Sequence, residues 1–134
     1  MNLSVIPDLT MQGETGPYAA RPTVTIGRLA GLVRELAARP GDWWNLARFD
    51  GTPVRLPGEQ EIWLYAWAPG HRAAPTADVL TVLAGELSER TITDQGGVER
   101  ALRANRVRVY GGGHPRELVN LGPGYALSLH ATVR

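Results

Sequence analysis

Cysteine is absent from this sequence, which excludes a disulfide framework, a thiolate metal site and a cysteine nucleophile. Lysine is absent as well. All 14 basic residues are arginine, so Schiff-base and lysine-base chemistry are excluded too. No apolar run approaches the roughly 20 residues of a membrane-spanning helix. The opening residues, MNLSVIPDLT, lack the basic start and long apolar core of a secretory signal, so the cytoplasm is the expected compartment. A net charge of +1 gives no reason to expect nucleic acid or an anionic membrane as a partner. What is present is ordinary globular composition: 43% hydrophobic and 20% charged over 134 residues, enough for one domain with its own core. Sixteen glycines and ten prolines predict a turn-rich, mainly β chain.

Residues 1–22 carry Pro7, Gly13, Gly16, Pro17 and Pro22 with little periodicity. They are expected to form an extended N-terminal arm, with one short strand at 3–6. Residues 26–38 are the clearest helix. Ile26, Leu29, Leu32, Val33, Leu36 and Ala37 recur at 3.6-residue spacing, Thr25 suits the N-cap, and Pro40-Gly41 ends the pattern. Asp42 is placed to cap a second short helix over 43–48, with Trp43 and Trp44 as packing anchors. From Pro53 onward the period changes to two. Strands are expected at 53–56, 61–68, 79–84, 87–94, 97–103, 107–110, 117–121 and 125–133, with a hairpin turn at Gln95-Gly96-Gly97 and a turn at Asn105. Strand 61–68 is apolar on both faces, so both should be covered. Short strands at this spacing predict a sandwich or jelly roll.

Residues 61–90 carry a more specific pattern. Trp63-Leu64, Trp67, Pro69-Gly70, Val82-Leu83, Gly85, Leu87 and Glu89 fall where the cysteine dioxygenase branch of the cupins has its first motif. The chain resembles that branch over about residues 26–132. The resemblance implies a single cupin-type jelly-roll barrel with one or two N-terminal helices, the arm at 1–22 preceding a domain at 23–134. It also implies that the branch's metal chemistry is altered. The two motif histidines read Thr76 and Asp78. Counted without a gap from Asn120, the third reads Arg116. A two-residue insertion would instead bring His114 into that position. The spacing from Asp78 to Gly85 is shorter than the branch's usual one, which would distort a coordination shell. Asp78 and Arg116 would then either pair as a salt bridge in the vacated metal site or stand in solvent near the barrel mouth.

Further matches implied by the resemblance are Ser128-x-His130, with Thr132 where the branch has tyrosine, and Arg55 (or Arg48) as its carboxylate-binding arginine. His71 stands where the branch has glutamine, at the barrel mouth. Four readings are open. The first is a small-molecule, carboxylate-binding cupin or pseudoenzyme without cofactor, its pocket lined by Arg55, Trp63, Tyr65, Trp67, Asp78, Arg116 and His130. The second is a metal-independent isomerase, lyase or cyclase using His130 and His114, with Ser128 beside His130. The third is an iron-dependent thiol dioxygenase rebuilt on Asp78, His114 and either His71 or His130. The fourth is an interaction protein: the arm and the mean hydropathy of −0.17 permit a homodimer, and no feature of the sequence specifies one.

Overall fold

The computed structural model describes residues 24–93, 96–110 and 116–133. The expected N-terminal arm and its expected short strand at 3–6, residues 94–95 and His114 lie outside the described residues.

One helix, α1 (Ile26–Ala37), opens the described chain. Thr25 caps it in extended conformation, its Oγ1 accepting from Arg28 N at 3.1 Å. At the other end Trp43 Nε1–H donates to Leu36 O at 2.9 Å, a carbonyl that also accepts from the Arg39 N–H at 3.0 Å. The expected second helix is instead two short 3-10 turns, Pro40–Asp42 and Trp44–Leu46, and Asp42 caps neither of them with its side chain. Only Trp43 of the tryptophan pair is an anchor: it is buried, while Trp44 is 66% exposed. The 3-10 turns point the neighbouring side chain outward. Ile26 is likewise exposed, and α1 buries Leu29 and Val33 most deeply.

Nine strands follow among the described residues: β1 (Val54–Arg55), β2 (Glu61–Trp67), β3 (Arg72–Ala73), β4 (Val79–Ala84), β5 (Glu86–Thr93), β6 (Gly96–Arg103), β7 (Val107–Val109), β8 (Arg116–Val119) and β9 (Ala126–Thr132). All pair antiparallel within two sheets, ordered β1-β2-β9-β4-β7 and β3-β8-β5-β6. This is a jelly-roll arrangement. Eight of the strands match the expected segments, and the two-residue β3 is an addition. The glycines of the expected hairpin turn belong to β6, because Thr93 pairs with Gly96 and Ile92 with Gly97.

The layers are helix, five-stranded sheet, four-stranded sheet. α1 packs across β4, β7 and β9. The period of two along β2 then divides the core. Ile62, Leu64 and Ala66 face the helix together with Val79, Leu127, Leu129 and Ala131. Tyr65 and Trp67 face the second sheet, packing with Leu80, Val82, Leu87, Leu102, Tyr110 and Leu118. Both faces of β2 are thus covered, as its composition requires.

Two residues turn the chain between sheets. Gly85 has φ +75° and separates β4 from β5. A Cβ there would lie 3.0 Å from the Cα and Cβ of Ala126 and from Tyr125 O, so the position needs glycine for both conformation and room. Asn105, at φ 69°, returns the chain from β6 to β7 and donates its N–H to Val82 O. Asn120 closes the other side. Its Nδ2 donates to Trp67 O and Gly124 O, both at 2.8 Å, and its Oδ1 accepts from Gly122 N.

Candidate functional site between the sheets

Strand register sets which side chains meet inside the sandwich. In the five-stranded sheet, Arg55, Trp63, His130, Leu80 and Arg108 are opposite one another in successive pairs, so they form one row on the inner face. Tyr65, Ser128 and Val82 form the next row. In the facing sheet, Ala73, Leu118, Glu89 and Arg100 make one row, and Arg116 and Thr91 are paired in the next. Polar side chains on both inner faces are thereby directed into the apolar core.

One group is a relay. Trp67 Nε1–H donates to Ser128 Oγ at 2.8 Å, and Ser128 Oγ lies 2.7 Å from His130 Nε2. Ser128 Oγ takes the indole hydrogen; where its own hydrogen goes to His130 Nε2, the imidazole carries its proton on Nδ1. Tyr65 packs on the His130 ring at 4.3 Å between centroids. Burial, and secondarily the charge of Arg116, lower the His130 pKa from 6.5 to about 3. His130 is therefore neutral at physiological pH.

The second group is ionic. Glu89, 2% exposed, reaches across from β5 to Arg108 on β7, Oε1 to Nη2 at 3.1 Å. Tyr110 lies beside them, and burial, a hydrogen bond to Glu89 and the Glu89 charge raise its phenol pKa. Arg116 stacks on the Tyr110 ring, its guanidinium 3.6 Å from the ring centre, and Nη2 donates to Ala77 O at 2.6 Å. His130 Nδ1 and Arg108 Nε, both buried, have no hydrogen-bond partner among the described residues, and Glu89 Oε2 and Tyr110 Oη have none outside the Glu89–Tyr110 pair. Folded interiors satisfy nearly all such groups, so the orphaned nitrogens call for an explanation.

The remaining expected residues are distributed differently. The Asp78–Arg116 salt bridge does not form. The Asp78 carboxylate accepts from Val133 N–H at 2.7 Å, and Arg116 takes the Ala77 carbonyl and the Tyr110 ring instead. The backbone donor at the end of β9 is closer to Asp78 than the guanidinium is, and it satisfies the carboxylate. Thr76 and His71 are exposed; the His71 ring meets Trp67 edge-on at 5.2 Å, as expected of a residue at the mouth. Arg55 is exposed on the edge strand, and Trp63 is half-buried with its indole N–H on Glu61 Oε2 at 3.4 Å. Trp67 is fully buried, a wall of the site. Arg48 pairs with Asp50 on the surface. Among the described residues no group of three His, Asp or Glu side chains is placed to share a metal ion. A threonine, a hydrogen-bonded aspartate and an arginine at the motif positions do not fit a divalent cation. Glu89, Arg108 and Tyr110 had no site role in the sequence reading. The signal available was charge on the inward phase of strands β5 and β7.

No protein-family model and no curated protein matches the sequence. Solved structures do match the fold. TT1209 from Thermus thermophilus superposes with a TM-score of 0.54 at 21% identity, over 68% of this chain and 94% of that one. The cupin domain of Drosophila melanogaster CENP-C gives 0.51 at 13% identity, over 61% and 68% of the two chains. A sugar phosphate isomerase of the cupin superfamily from Silicibacter pomeroyi gives 0.51 at 20%, over 64% of this chain and 61% of that one. The architecture is thus a cupin-type jelly roll, a fold whose members differ widely in function. Among the described residues no helix is long and apolar enough to cross a membrane.

Proposed function

We propose that this chain is a small-molecule-binding cupin, derived from the cysteine dioxygenase branch that residues 61–90 resemble, and that it holds a small organic acid between its sheets. The observation that carries this reading is the pair of buried nitrogens without a partner among the described residues, His130 Nδ1 and Arg108 Nε, with Glu89 and Tyr110 packed beside Arg108. His130 Nδ1–H and Arg108 Nε–H would donate to the ligand, and the hydrogen-bonded Glu89–Tyr110 pair lies beside Arg108. Charge points to the same class of ligand. Glu89 offsets Arg108, Arg116 has no carboxylate partner among the described residues, and His130 is neutral, leaving one net positive charge. A monocarboxylate complements it, and a hydroxyl on the same ligand would meet Glu89.

In this reading His130 is a hydrogen-bond donor. A group with a pKa of about 3 is a weak base at neutral pH, and its Nε2 already accepts from Ser128, so acid–base catalysis by the Ser128–His130 pair is disfavoured. The test is a titration with lactate and acetate, followed at the Trp67 indole and His130 imidazole resonances. Arg116→Gln is expected to weaken binding about tenfold. No perturbation of either resonance by any small carboxylate would sink the proposal. Elemental analysis after growth with iron, zinc and manganese runs beside it. Near-stoichiometric iron that disappears in Asp78→Ala would replace this reading with a rebuilt thiol dioxygenase involving His114.

A further inference from the structure

A second candidate site lies at the open seam of the sandwich. β6 is the free edge of the four-stranded sheet and β7 the free edge of the five-stranded one. Between them is a cleft of about 320 Å³, lined by Arg100, Arg103, Arg106 and Arg108 over a floor that includes Leu80 and Leu102. This volume lies at the lower end of small-molecule sites, about 300–1,000 Å³. Its construction follows from the strand alternation. Arg100 and Leu102 share the inner phase of β6, opposite Glu89 and Leu87, and Leu80 is directly opposite Arg108.

Charge within the cleft is only half compensated. Arg103 pairs with Glu86 at 3.3 Å and Arg108 with Glu89 at 3.1 Å. Arg100 and Arg106 have no carboxylate within ion-pair distance among the described residues. Two permanent positive charges therefore stand over an apolar floor, in a protein whose overall net charge is only +1. Guanidinium groups offer a planar fork of donors suited to tetrahedral oxyanions.

We infer that this seam binds a phosphomonoester, the dianionic phosphate lying between Arg100 and Arg106 and the organic part resting on Leu80 and Leu102. The inference does not rest on the carboxylate reading; the two share only Arg108, which Glu89 already neutralises. A polyanion such as RNA is the competing occupant. The small-molecule reading is favoured because the charges converge on one bounded cleft with an apolar floor, whereas a nucleic-acid strand is met by an extended basic track.

The probes are phenyl phosphate and phenyl sulfate, which have the same shape but carry two charges and one. On the wild-type protein phenyl phosphate should bind with one-to-one stoichiometry and about tenfold more tightly than phenyl sulfate at neutral pH. Its affinity should fall as pH drops through about 6, where a phosphomonoester takes up a proton, while the sulfate remains unaffected. Arg100→Gln/Arg106→Gln should weaken phenyl phosphate at least about tenfold, and Arg28→Gln/Arg39→Gln, with the same change in net charge on α1 and the turn after it, should leave it within about twofold. Equal affinity for the two probes would overturn the inference, as would equal weakening by the two double variants. Retention of heparin or an RNA oligomer without binding of phenyl phosphate would also overturn it, and would assign the seam to a polyanion. The comparison of the two probes needs no mutation, so a folding defect in a variant does not obscure the result.

Discussion

Acid should destabilise this protein in a pH window set by His130. Its folded-state pKa is lowered from 6.5 to about 3, first by burial and then by Arg116. The unfolded chain binds a proton there at mildly acidic pH and the folded chain does not, so stability is complete above about 6.5 and is lost as pH falls toward 3. The whole shift corresponds to roughly 4–5 kcal/mol at about 1.4 kcal/mol per pKa unit. Between pH 7 and pH 5 the expected loss is about 2 kcal/mol, against a total of about 5–15 kcal/mol for a domain of this kind. Urea denaturation at those two pH values measures it. His130→Gln removes the titration, so the variant's stability should change less over this interval by about 2 kcal/mol, whatever its absolute value. Carboxylates do not produce the same signature. Asp50, lowered to about 2 mainly by the Thr52 N–H and by Arg48, loses its contribution only as pH falls from 3.8 toward 2. The imidazole resonances of His130 give an independent reading and should not titrate above about pH 4. A His130 that titrates near 6.5, or equal pH dependence in wild type and His130→Gln, would refute the argument that the relay holds a neutral ring.

Two further substitutions test the packing. Trp43→Ala should cost about 3–5 kcal/mol, because it removes a buried indole and the donor on Leu36 O, whereas Trp44→Ala should stay within about 0.5 kcal/mol; paired thermal melts decide between them. Gly85→Ala should cost about 3 kcal/mol in urea denaturation, combining a positive φ with contacts at 3.0 Å to Ala126 and Tyr125; a neutral outcome would mean the β4–β5 corner can shift.

The Trp43–Trp44 contrast illustrates how far local pattern reaches. A helical period would have placed both tryptophans by their spacing. The chain instead forms 3-10 turns there, which bury one and leave the other in solvent. Strands were more legible, because alternation in 61–68 and 79–84 reflects two covered faces regardless of which layers cover them. The two-residue β3 was not legible: it exists through its pairing with β8, from which it is separated by more than 40 residues of sequence.

The motif positions Thr76, Asp78 and Arg116 could be read as departures from three histidines, but not what the departures do. Whether Asp78 meets a guanidinium or a backbone N–H depends on where β9 ends, and Val133 N–H takes it. Sequence by itself determined the helix and its cap, most of the strands, the glycine corner and the Ser-x-His pair on one face of a strand. These depend on periodicity, backbone conformation and nearest neighbours. Only the tertiary structure decided that Glu89 reaches Arg108 from the opposite sheet, that Arg116 lies on Tyr110, and that Arg100 and Arg106 line one cleft at the seam. Such contacts join residues on different sheets, and no local spacing encodes which inner faces are brought together.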